Sequence, residues 1–352
     1  MKKLSLILTL ALVLSLLAGC AGTPVVYYTN CTCPVAEQSA PVVEPTEAPV
    51  LVEGAVKTGL AIVAGVGESV NGEAKYDVTI AAVTVDDNGV ITSCYIDSVG
   101  TSVLFDAEGN ITTDLTASVQ TKNELGEAYG MKAYGGSQYE WNEQAAALAQ
   151  FAVGKTLEEL RTGAVGETGY AADVDLASTA SIYLGGYVNA IEAAVANAQH
   201  LGAQSGDVLK VAASCGVDGS SAPTDEKDGS AQLDVTVAVV TMNGDTITSC
   251  AIDAVQAKVG FNAAGEITAD LTAPVLTKNQ LGEGYGMKDW GGAIAEWNEQ
   301  AASFAAYVTG KTPAEVSGIA VDEGTKPTDA DLAASVTIAI GGFQHLIAKA
   351  VQ

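Results

Sequence analysis

Lys122-Asn-Glu-Leu-Gly-Glu-Ala-Tyr-Gly-Met131 returns later in the chain as Lys278-Asn-Gln-Leu-Gly-Glu-Gly-Tyr-Gly-Met287, with eight of ten positions identical. The offset is 156 residues (278 − 122), and it holds outward from that stretch. Glu140-Trp-Asn-Glu-Gln-Ala-Ala146 recurs unchanged as Glu296-Trp-Asn-Glu-Gln-Ala-Ala302. Gly154-Lys-Thr156 recurs as Gly310-Lys-Thr312, and Asp173-Val-Asp-Leu-Ala177 as Asp329-Ala-Asp-Leu-Ala333. So long a period means a duplicated domain-sized module rather than a solenoid, whose units run roughly 20–50 residues. The expected repeats are residues 57–204 and 205–352, each large enough for its own core.

Within each repeat the apolar pattern changes from strand to helix. Tyr76-Asp-Val-Thr-Ile-Ala-Ala-Val-Thr-Val85 alternates with period two, Asp86-Asp-Asn-Gly89 supplies a turn, and Val90 to Asp97 follows as a second strand. The second copy repeats this hairpin with Asn243-Gly244 at its turn, a favoured hairpin sequence. A short third strand is expected near Ser102–Phe105, with Asn110–Asp114 extending the sheet. Gln138 to Val153 reads as a helix with Trp141, Ala145, Leu148, Phe151 and Ala152 on one face. Asp173 or Asp175 is placed to cap a last helix running through Ala198. Asp329 or Asp331 is placed to cap its partner through Val351, with Leu332, Val336, Ile340, Phe343 and Ile347 as the buried stripe. The expected class is α+β: two tandem homologous domains, each an antiparallel sheet of hairpins packed with helices.

The start of the chain reads as an address. Met1-Lys-Lys3 is basic, Leu4 to Leu17 is an apolar run of signal-peptide length, and Leu17-Ala-Gly-Cys20 places small residues before a cysteine. The run is short of the roughly 20 apolar residues that a membrane span needs. This segment resembles a bacterial lipoprotein signal. The resemblance implies cleavage before Cys20, acyl chains on that residue, and a mature protein anchored in membrane lipid on the extracytoplasmic face of the cell membrane. Residues 21–56 follow as a spacer broken by Pro24, Pro34, Pro41, Pro45 and Pro49. Cys31-Thr-Cys33 inside it has too few ligands for zinc; a disulfide, further acylation or redox sites, and inert thiols all remain open.

Composition excludes several classes. Acidic residues number 42 against 16 basic, a formal net charge of −26. Nucleic-acid binding rests on Lys and Arg neutralising phosphates, so nucleic acid is not an expected partner. The only histidines are His200 and His345, which are not equivalent between the repeats. No haem, zinc-protease, nucleophile-elbow or P-loop motif occurs. Gly154-Lys-Thr156 follows a helix and reads as a terminating glycine.

Two sets of residues recur with chemistry in them. Cys94 and Cys250 hold equivalent strand positions and read as buried thiols, whereas Cys215 falls in a Gly/Ser-rich connection. Lys122, Glu127, Tyr129, Lys132 and Trp141 recur as Lys278, Glu283, Tyr285, Lys288 and Trp297. They suit either a cradle for an anionic or planar ligand or a turn whose glycines need special dihedrals.

The segments Asp173-Val-Asp-Leu-Ala-Ser-Thr-Ala-Ser181 and Asp329-Ala-Asp-Leu-Ala-Ala-Ser-Val-Thr337 carry a sharper signal. They resemble the attachment motif of FMN-binding domains, the flavin-carrying domains of bacterial redox subunits and surface flavin lipoproteins. Asp173 and Asp329 match the motif's aspartate, and Thr179 and Ser335 the hydroxyl six residues on. Ser181 and Thr337 match the hydroxyl two beyond that. Ala177 and Ala333 stand where the family has glycine, Leu176 and Leu332 where it has Ser or Thr, and Ser178 where it has alanine. The resemblance implies FMN joined by a phosphoester to Thr179 and Ser335, put there by a flavin transferase, and redox partners outside the membrane. Tyr129 and Tyr285 are the expected contacts of the flavin ring.

Overall fold

The computed structural model describes residues 54–352, which lie within one compact unit. The expected signal segment, Cys20, Cys31 and Cys33 lie outside the described residues, as does most of the spacer. No helix among the described residues is long and apolar enough to cross a membrane.

Two three-stranded antiparallel sheets organise the chain. The first joins β1 (Lys57–Gly65), β2 (Glu73–Val85) and β3 (Ile91–Leu104) in that order; the second joins β4 (Val208–Gly216), β5 (Gly229–Asn243) and β6 (Thr246–Phe261). Register shows how they correspond. Val78 pairs with Ala64 and Val99 in one sheet, as Val235 pairs with Cys215 and Val255 in the other.

Side-chain alternation then builds the core. On β2, Tyr76, Val78, Ile80 and Ala82 point into a cluster shared with Leu233, Val235, Val237 and Val239 of β5. The opposite face of β2, carrying Ala81, Val83 and Val85, packs on helices of its own repeat. On β5, Ala238, Val240 and Met242 do the same in the second repeat. The sheets therefore face one another across a common interior, with helices outside each. Each repeat keeps a buried helix-side cluster of its own, and the two share a third between the sheets. They also exchange edges, since Ala64 of β1 bridges Val275 while Val119 bridges Cys215 of β4.

Eleven short α-helices occur among the described residues. In the first repeat these are α1 (Lys122–Leu125), α2 (Trp141–Ala152), α3 (Leu157–Ala164), α4 (Val174–Thr179) and α5 (Gly185–Ala196). In the second they are α6 (Lys278–Leu281), α7 (Met287–Gly291), α8 (Trp297–Val308), α9 (Pro313–Ser317), α10 (Ala330–Ala333) and α11 (Gly341–Ala350). Reciprocal capping boxes start α1 at Thr121, α2 at Glu140 and α3 at Thr156, satisfying backbone donors that a helix start leaves open.

Several expectations change. The long last helix through Ala198 is two helices, α4 and α5, and its partner is α10 and α11. Asp173 and Asp329 do cap α4 and α10, accepting from Leu176 N and Leu332 N. The breaks come where Ser181-Ile182 and Thr337-Ile338 give their N–H groups to glutamine side chains instead of a helical turn. Val336 and Ile340 are buried as expected, but in the connection before α11. Ser102–Leu104 is the end of β3 rather than a separate strand, and residues 110–114 contribute only the Phe105–Ile111 bridge. Strands β1 and β4 are additional, and Cys215 lies on β4, not in a connection. At Gly59 a side chain would collide with the Ala194 carbonyl at 2.0 Å, so this glycine lets α5 lie directly against β1.

Candidate functional site

The repeated loop is built around one lysine per copy. Lys122 Nζ sits 5.3 Å from the ring centre of Tyr129 and 5.2 Å from that of Trp141. Lys278 does the same with Tyr285 at 4.8 Å and Trp297 at 4.9 Å. Each contact of this kind is worth about 0.5–2 kcal/mol, more as water is excluded. Trp141 Nε1 donates to Tyr187 Oη at 2.9 Å, and Tyr285 Oη donates to Gln256 at 3.1 Å. The loop glycines Gly130 and Gly286 hold φ of 82° and 81°, left-handed values that favour glycine. Lys132 and Lys288 pair with Glu143 and Glu299 on the neighbouring helices, while Glu127 and Glu283 are exposed. Lysine, tyrosine and tryptophan thus satisfy one another within the loop.

Two buried side chains of the Glu-Trp-Asn-Glu-Gln motif tie this loop to the motif segment. Glu140 accepts from Met131 N at 2.8 Å and Lys132 N at 3.1 Å; Glu296 accepts from Met287 N and Lys288 N at 2.9 and 3.0 Å. Gln144 Oε1 accepts from Ser181 N (2.7 Å), Ser181 Oγ (3.2 Å) and Ile182 N (3.1 Å), and its Nε2 donates to the Tyr139 carbonyl. Gln300 holds Thr337 and Ile338 in the same way and donates to the Ala295 carbonyl. Both glutamines are fully buried. Sequence reasoning quoted this motif without giving either residue a role; an amide recurring on the apolar side of a helix was the available signal.

Ser181 and Thr337 are therefore brought against α2 and α8, and Asp173 and Asp329 are spent as caps. Thr179 and Ser335 are half-buried. Ser335 Oγ donates only to the Leu332 carbonyl of its own turn, at 3.3 Å. Thr179 is the last residue of α4, and Ser335 follows the end of α10, so neither hydroxyl has the helix start that its motif position suggested. The nearby helix starts are those of α5 and α11, which open with Gly185-Gly186 and Gly341-Gly342 and carry no side-chain cap. A side chain at Gly186 or Gly342 would meet open space. Uncapped N–H groups of this kind suit a phosphate, and in that respect the residues present fit an FMN phosphoester. Tyr129 and Tyr285 lie in the repeated loop, which the side chains of α2 and α8 and the residues that start them link to the motif segment.

Cys94 and Cys250 are free thiols packed into the fold. Cys250 is buried and Cys94 half-buried, and burial pushes both thiols up to about 12. Since the thiolate is the reactive form, iodoacetamide at neutral pH should leave both unmodified in the folded protein and label both after unfolding, as read by peptide mass. Labelling of either in the native state would show that its strand opens.

No protein-family model, curated protein or solved structure matches this chain.

Proposed function

We propose that this chain is an extracytoplasmic flavoprotein, anchored in membrane lipid through Cys20, that carries FMN on Thr179 and Ser335 for electron transfer outside the membrane. The observation that carries the reading is the paired presentation of the two motif segments. In each repeat a buried glutamine grips the residue two beyond the expected hydroxyl, by its N–H and its side chain. The hydroxyl itself is not held by the glutamine, and in the second repeat it bonds only within its own turn. Two unequal repeats keep this arrangement although the loops around it differ.

In this reading Thr179 and Ser335 provide the ester oxygens. The uncapped starts of α5 and α11 offer N–H groups to the phosphate, and Asp173 and Asp329 fix the turn. The flavin ring supplies the one- and two-electron chemistry, and the protein its position and field. A flavin transferase acts before, and redox partners after. Nothing in the repeated loop adds to a ligand-binding alternative, because Lys122, Tyr129 and Trp141 are engaged with one another.

The test is intact mass and flavin fluorescence of the denatured mature protein purified from its native host. Two FMN additions are expected, with one lost in each of Thr179→Ala and Ser335→Ala. An unmodified mass from a host that flavinylates its other proteins overturns the reading.

A further inference from the structure

The molecule has two seams where sheet edges approach, and by internal symmetry they should be alike. They are not. Where β3 approaches β4, Lys349 of α11 reaches across: its Nζ donates to the Ala213 carbonyl on β4 at 2.7 Å and pairs with Glu124 of α1. Beside it on β3, Tyr95 donates its hydroxyl to Asp97 Oδ2 at 3.0 Å. Ammonium and phenol ring are supplied by the chain itself.

Where β1 approaches β6, each of those groups has been removed. Register places Ala251 where the first seam has Tyr95, since their partners Val239 and Ala82 correspond. Gln280 replaces Glu124 at the third position of the capped helix. Ala193, the ninth residue of α5, replaces Lys349, the ninth of α11. The aspartate alone is kept: Asp253 still accepts from Ala254 N at 2.7 Å and Asn279 N at 3.1 Å. What remains is a cavity of about 770 Å³, lined by Leu60, Asn197, Ala251, Asp253, Gln280 and Ala305 among others. That volume falls in the roughly 300–1,000 Å³ range of small-molecule sites.

We propose that this cavity binds a small organic amine, an ammonium group on an apolar ring-sized body: the ammonium takes on Asp253 Oδ2 the place that the Tyr95 hydroxyl holds on Asp97 Oδ2 in the other seam, and the body fills the room left by the missing tyrosine ring and lysine stem. No Lys or Arg lines the cavity, and its one histidine, His200, is held by Asp87 at 2.9 Å. Asp253 is the acceptor that the ammonium meets, with the Gln280 amide beside it. Leu60 and the alanines of α8 face the ring. A net charge of −26 draws cations toward the surface and repels anions. The site is independent of the flavin reading and is present whether or not Thr179 and Ser335 are modified.

Calorimetric titration of the whole protein with phenethylamine tests this, with 2-phenylethanol as the neutral analogue and 3-phenylpropionate as the anion. Saturable binding of the amine is expected, at least tenfold tighter than either analogue. Ala251→Tyr restores the ring and hydroxyl that the other seam sets on its aspartate, and Ala193→Lys restores the long side chain that crosses that seam. Each should weaken binding at least tenfold while leaving the melting temperature within a few degrees of the parent. Two variants are used so that a misfolded one does not decide the matter. Absence of saturable amine binding overturns the proposal, as does equal affinity for 2-phenylethanol. Unchanged affinity in both folded variants overturns it too.

Discussion

Truncating Phe261 to alanine is expected to cost about 3–5 kcal/mol, the range for removing a buried phenylalanine ring from a packed core. Phe261 ends β6 and stacks on Phe105, which follows β3, with ring centres 4.0 Å apart and planes 13° from parallel. Both rings are buried, and both belong to the cluster that the repeats share. The ring therefore serves both halves of the chain, and its loss is predicted to lower their stability together. Urea unfolding followed by tryptophan fluorescence checks this, using variants that keep only Trp141 or only Trp297. One midpoint, shifted equally for both reporters, is expected. Separate midpoints would mean that each repeat keeps a self-sufficient core and that the common interior is a mere contact.

That shared interior was not legible in the sequence, and the reason is physical. Duplication at a fixed offset says that two similar units exist, but the same alternation serves a sheet covered by solvent or by a second sheet. Tyr76, Val78, Ile80 and Ala82 read as one apolar face either way. Strand β1 was hidden for a related reason: Leu60 to Ile62 is buried on both faces, so it shows an apolar run instead of alternation. The hairpins, the α+β class, the caps Asp173 and Asp329, and the buried stripe of α2 follow from local pattern and could be read directly. The break between α4 and α5 could not. It depends on Gln144, a residue 37 positions before Ser181, taking two backbone donors that a continuing helix would use. Helix propensity is a weak guide where a tertiary hydrogen bond competes for the same N–H groups. The cavity at the β1–β6 seam follows from residues that are absent, and only comparison of the two seams reveals them.

Replacing Glu140 with alanine is expected to cost about 3 kcal/mol, because a buried carboxylate that satisfies backbone donors leaves them unpaired when removed. Its two oxygens hold Met131 N and Lys132 N, and it caps α2 in a reciprocal box with Glu143. The alternative anchor for this loop is Lys122 between Tyr129 and Trp141, whose contacts are worth about 0.5–2 kcal/mol each. Glu140 holds two backbone donors of the loop and starts α2 as well, and Tyr129 on the lysine's side is partly exposed, so Glu140 is the anchor expected to decide whether the loop stays closed. Two measurements separate the possibilities. Urea unfolding of Glu140→Ala should show the full loss with the slope unchanged, and limited proteolysis should cut between residues 131 and 139 faster than in the parent. Lys122→Met, which removes the charge and keeps the alkyl stem, should lose less stability and resist cleavage. If the order is reversed, the lysine holds the loop, and the carboxylate serves only to start the helix. Because Gln144 lies one turn further along α2 and grips Ser181, loosening the start of that helix should also free the motif segment. Glu140→Ala is therefore predicted to speed amide hydrogen exchange at Ser181 and Ile182, while Lys122→Met leaves those two amides as slow as in the parent.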